Sequence, residues 1–86
     1  MTGTLQRFFN YIQYEKRLSG HTLTAYHNDI FQFSDYLKEH FEGVEIANAQ
    51  SSHIRSWIIY RIENKDNPRT INRKISALKS LYKFML

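Results

Sequence analysis

Between Gly20 and His40 the apolar residues Leu23, Tyr26, Ile30, Phe33 and Leu37 recur in alternating steps of three and four. That period keeps one face of an α-helix against a core, and the two-residue alternation of a half-buried strand does not produce it. A helix of this span is about 30 Å long, so it needs other elements to cover its apolar stripe.

Three further segments can cover it. The first, about 4–17, places Leu5, Phe8, Phe9 and Ile12 at helical spacing. "LSGHT" (18–22) interrupts it, with Gly20 as punctuation and Ser19 as candidate cap. The connection 39–50 holds Gly43, and its Phe41, Val44 and Ile46 are expected to tuck under the core, with at most a short helical turn. The third segment, about 51–64, has Ser51 or Ser52 as cap and Ile54, Trp57, Ile58 and Ile62 as stripe. "NKDNP" (64–68) is a polar turn. The fourth segment opens with Asn67 as N-cap and Pro68 at the first helical position, where a missing N–H costs nothing. No strand pattern, repeat or low-complexity tract occurs, so the reading is all-α, with four helices and one core in a single domain over 1–86.

Composition narrows the class. The chain is 42% hydrophobic and 15% aromatic, which supplies a core, and it has no cysteine to form a disulfide or a thiolate metal site. Its longest strongly apolar run, Trp57 to Tyr60, is far short of the roughly 18 residues that span a bilayer. The start lacks the basic and apolar regions of a secretory signal. A soluble cytoplasmic domain with no membrane partner is the expectation.

The net charge of +4 is distributed unevenly. Residues 1–66 carry seven Lys/Arg against eight Asp/Glu, whereas 67–86 carry Arg69, Arg73, Lys74, Lys79 and Lys83 and no acid. At 100° per residue from Arg69, the residues Ile71, Ile75, Leu78, Tyr82 and Met85 fall on one side. Asn72, Arg73, Ser76, Lys79, Ser80 and Lys83 fall with Arg69 on the other, and Lys74 projects off that ribbon as a solvated residue. A solvated helix face usually interleaves opposite charges at i,i+4; here cations follow cations. Lys and Arg neutralise phosphates, and Arg, Asn, Ser and Thr can also bond base edges in a groove that admits a helix.

Catalytic constellations are missing. His21, His27, His40 and His53 make no metal-ligand spacing, the only glycines are Gly3, Gly20 and Gly43, and the carboxylates nominate no acid/base pair. The expectation is no metal, no cofactor, no small-molecule substrate and no catalysis by this chain alone. Tyr26 and Tyr82 lie on apolar stripes and are expected in the core.

Two stretches together resemble the tyrosine recombinase/phage integrase family (Xer-like). "SGHTLTAYHNDIFQFSDYL" (19–37) is similar to its Ser-x-x-Thr-x-x-x-Tyr-x-x-Asp-Leu/Ile-x-x-Phe/Leu-x-x-Phe/Tyr-Leu run. "TINRKISALKSLYKFM" (70–85) is similar to its Thr-Ile/Leu-x-Arg-x-Leu/Ile-Ser-Ala/Ser-Leu/Ile-Arg/Lys-x-Phe/Leu-Tyr-x-Phe/Tyr run. The resemblance covers nearly the whole chain. It implies an N-terminal core-binding domain, a four-helix SAM-like orthogonal bundle forming one jaw of a clamp on a recombination half-site of double-stranded DNA. The implied DNA-facing set is His21, Thr22, Thr24 and Asn28 from the second segment. From the fourth it is Arg69, Thr70, Asn72, Arg73, Ser76, Lys79, Ser80 and Lys83, which contains the ribbon found from angles.

Each assignment has a plainer counterpart. Thr22 can serve only its helix start, His21 and His27 can be mere surface, and Asp29, an anion on a DNA-facing helix, is expected to bond within the protein. Two positions depart from the family pattern. His53 stands where an acid often starts the third helix, which bears on capping, and Lys79 replaces a frequent Arg, losing bidentate guanine recognition. The family's catalytic residues lie in a second domain, absent from 1–86, so the resemblance makes the chain a non-enzymatic fragment ending near the linker of a strand-exchanging parent. Protomer contacts in a recombinase assembly are implied as well. The rival readings are a SAM-type protein-interaction module, with Tyr11 and Tyr14 as anchors, and a small helix-turn-helix regulator. The long polar "ENKDNPRT" speaks against the regulator.

Overall fold

Helix starts are set by side chains that replace the hydrogen-bond partners a first turn lacks. In the computed structural model, which describes residues 2–86, Ser19 Oγ accepts from the Thr22 N–H at 3.2 Å and opens α2 (Gly20–His40). Asn67 Oδ1 accepts from the Thr70 N–H at 2.8 Å and opens α4 (Pro68–Met85), with Pro68 in the first turn. The third helix, α3 (Ser51–Glu63), departs from expectation: its N-cap is Gln50, not a serine. The Gln50 N–H donates to His53 Nδ1 at 2.9 Å, so the imidazole acts as the acceptor that an acid supplies in a capping box.

The first segment also differs from one continuous helix. Helix α1 (Thr2–Asn10) runs into a π-helical turn, Tyr11–Glu15, closed by Lys16 N–H to Tyr11 O at 3.2 Å. Arg17 then takes a positive φ of 53° and ends the element. The 39–50 connection contains a short 3₁₀ turn, Ile46–Asn48, whose Ile46 is buried as expected, with Phe41 and Val44 packed against the core. Among the described residues there is no strand, and no helix is long and apolar enough to cross a membrane.

The core joins all four helices. Phe8, Phe9 and Ile12 meet Ile30, Phe33 and Leu37 of α2, Trp57 of α3, and Ala77, Leu78 and Leu81 of α4. Phe33 and Trp57 pack with ring centroids 5.1 Å apart, and Phe9 stacks on His27 at 3.6 Å. His27 is therefore half-buried against an aromatic face rather than free on the surface. Two expectations for the stripes fail. Ile62 is 55% exposed, and the buried arc of α4 is centred on Ala77, Leu78, Leu81 and Lys74, which leaves Ile75, Tyr82 and Met85 half-buried at its edges. Tyr82 and Tyr26 are thus core-bordering, each with part of its side chain in solvent.

Candidate nucleic-acid interface

Because α4 buries the Lys74–Leu81 side, its opposite side is left open. Arg69, Asn72, Ser76, Lys79 and Lys83 are all exposed there, at steps of three and four that place them on one strip. No carboxylate lies on the strip or anywhere else on α4. Thr70 and Ser80 are half-buried at its margins, and the Thr70 backbone is engaged by the Asn67 cap.

Helix α2 packs along α4. Its first turns expose His21, Thr24 and Asn28. Thr22 is half-buried and tied into the cap, its Oγ1 accepting from Ser19 Oγ at 3.0 Å in addition to the N–H bond. Its plainer role in the helix start is therefore satisfied in this structure.

The joint between the two helices is ionic. Asp29 is fully buried on α2, and Arg73 reaches it side-on, Nε to Oδ2 at 2.9 Å and Nη2 to Oδ1 at 2.7 Å. Lys74 Nζ donates to the same Oδ1 at 2.9 Å and also to Gln32 Oε1. The hydrogen bonds that Arg73 donates to Asp29 hold its guanidinium above its ordinary pKa, so it stays charged. Asp29 bonds within the protein as expected, with Arg73 and Lys74 as its partners. Lys74 is a correction: only 3% of it is exposed, and its ammonium lies 5.6 Å from the Trp57 ring centroid. A lysine survives burial when it is paired and hydrogen-bonded, which the carboxylate and the amide oxygen provide. Gln32 and Lys74 carried no local signal of this role, since their partners lie more than forty residues away in sequence.

Among the described residues, no group of three or more His, Cys, Asp or Glu is placed to hold a metal ion. No buried side-chain polar atom lacks a partner there either.

The described geometry agrees with comparison to known proteins. The family model for the phage integrase N-terminal SAM-like domain matches residues 5–86. Tyrosine recombinase XerD of Rickettsia conorii is 36% identical over 84 residues, which are 98% of this chain and 27% of that protein. Tyrosine recombinase XerC of Natranaerobius thermophilus is 32% identical over 85 residues, 99% of this chain and 28% of that protein. XerC of Anoxybacillus flavithermus is 34% identical over 83 residues, with coverage of 96% and 27%. The chain thus spans about a quarter of the length of the curated relatives it matches. No solved structure matches it at a significant level. With a four-helix fold and a family match over nearly its whole length, the chain belongs to the phage integrase N-terminal SAM-like domain family, the N-terminal domain of Xer-type tyrosine recombinases.

Proposed function

We propose that this domain binds duplex DNA as one jaw of a clamp around a recombination half-site, positioning a separate catalytic domain for strand exchange. The observation that carries the reading is the acid-free strip Arg69, Asn72, Ser76, Lys79 and Lys83, exposed on one side of a helix whose other side is core. Cations interspersed with Ser and Asn suit phosphate contacts with limited base reading. His21, Thr24 and Asn28 extend the surface onto α2, Arg73, Thr70 and Ser80 border it, and Thr22 contributes through the helix start.

The test is a fluorescence anisotropy titration on a labelled duplex across a salt series. Binding that weakens linearly in log–log form with salt supports the reading, and absence of binding at low salt overturns it. Protomer–protomer contact in an assembly on DNA is a compatible second role, favoured by Tyr14, which stands 68% exposed within the π-helical turn while Tyr11 packs on Phe84 at 5.1 Å.

A further inference from the structure

Asp29 faces two cations, and the two differ in exposure. The Arg73 side chain is 39% exposed and borders the strip on α4, whereas that of Lys74 is 4% exposed. Arg73 spends Nε–H and one Nη2–H on the carboxylate. A guanidinium carries five N–H groups in a planar fork, so Nη1 and the second Nη2 hydrogen remain as an outer edge that can take two phosphate oxygens. Among the described residues that outer edge has no protein partner.

An Asp–Arg pair on its own would be electrically neutral and a poor attractor of phosphate. Lys74 changes the sum: two cations against one anion leave the cluster at net +1, and only Arg73 reaches the surface. Placing an anion beneath a DNA-facing arginine is then consistent with phosphate binding, because the buried lysine offsets it. The carboxylate fixes the plane of the guanidinium, which removes rotamer freedom before any ligand arrives.

We propose that Asp29 is a positioning residue for DNA: it grips the inner edge of Arg73 so that the outer edge meets a backbone phosphate, while buried Lys74 keeps the cluster cationic. This rests on the DNA-binding reading above.

Asp29→Asn discriminates between positioning and charge alone. The substitution removes an anion, so a purely electrostatic face binds DNA more tightly. Positioning predicts the opposite: affinity of the folded domain drops about tenfold, and the salt slope falls by about 0.9, the loss of one phosphate contact. Folding is followed in parallel by circular dichroism, and affinities are measured where the variant is folded. A structural role alone lowers the unfolding midpoint and leaves the folded domain binding as tightly as wild type or better, which overturns the proposal. Should Asp29→Asn fail to fold, Arg73→Lys serves instead: it keeps the charge and an ion pair to Asp29 but lacks the second fork. A loss of about tenfold supports the proposal, and an unchanged affinity and slope overturns it. Wild-type domain that binds no DNA at low salt removes the underlying reading, whereas wild-type binding with an unaffected variant removes only the role of Asp29.

Discussion

Arg61 donates Nε to Asp66 Oδ2 at 2.8 Å and Nη2 to Asp66 Oδ1 at 2.9 Å, closing the turn that joins α3 to α4 with a two-point bond. Both side chains are largely buried, so this pair is shielded from water in a way that most surface ion pairs are not. The Arg61 hydrogen bond lowers the Asp66 pKa below its ordinary value, against an opposing desolvation effect.

A depressed carboxylate pKa contributes stability at pH values above its unfolded-state value, and that contribution is lost as pH falls through the lower folded-state value. Asp66→Asn is therefore expected to cost about 1–2 kcal/mol at pH 7. The difference from wild type should shrink below about pH 4, where the wild-type carboxylate also takes up its proton. Urea midpoints measured from pH 7 down to pH 2.5 check this, and a pH-independent difference would assign the cost to shape rather than charge.

Tyr82 links α4 to the 3₁₀ turn, its hydroxyl donating to the Ile46 carbonyl oxygen. Burial pushes its pKa up to about 12. With the folded value above the unfolded one, the contribution is complete below about pH 10 and is lost as pH rises toward 12. Tyr82 should titrate late in ultraviolet absorbance, and Tyr82→Phe should remove that late step. The same variant should lose about 1 kcal/mol of stability at neutral pH by leaving the carbonyl without its donor.

Lys65 holds a φ of 69°, a left-handed conformation at the end of α3 that side chains with a Cβ adopt at a cost. Lys65→Gly should raise stability by about 0.5–1 kcal/mol, the strain relieved minus the added freedom of the unfolded chain. Chemical denaturation reads the effect directly. A fall in stability would mean that the lysine stem contributes packing that outweighs the backbone term.

Lys79 and Lys83 are exposed and lack an acidic partner among the described residues. Replacing either by alanine should leave the unfolding midpoint within about 0.5 kcal/mol of wild type. Each should reduce the salt slope of DNA binding by about 0.9. Equal slopes for wild type and the double variant would place the DNA elsewhere on the domain.

Much of this architecture was written in local sequence. The stripe from Leu23 to Leu37, the Ser19 and Asn67 caps and Pro68 each act within one helical turn, so short-range pattern is enough to find them. The orientation of α4 was local only in part. The expected buried side, Ile71, Ile75, Leu78, Tyr82 and Met85, left out the apolar Ala77 and Leu81, and the observed arc is rotated by roughly 60° toward Lys74, Ala77 and Leu81. Asp29 accounts for the lysine inside that arc, a pairing between residues 45 apart. A hydropathy pattern assigns that lysine to solvent because it has no term for a distant carboxylate. The strip of candidate contacts tolerated the error, since Arg69, Asn72, Ser76, Lys79 and Lys83 lie far enough from the shifted boundary to remain exposed.

The wide turn at Tyr11–Glu15 gives the first segment one residue more than an α-helical register needs. Ile12 is its one buried side chain, and Gln13 through Arg17 are all exposed. Removing one residue there would turn the wide turn into an ordinary one and would also shift Leu18, which packs on the core and donates its N–H to Ile12 O at 3.2 Å. The extra residue therefore sets how the chain reaches from buried Ile12 to Leu18 and the Ser19 cap of α2, while the side chains between them stay in solvent.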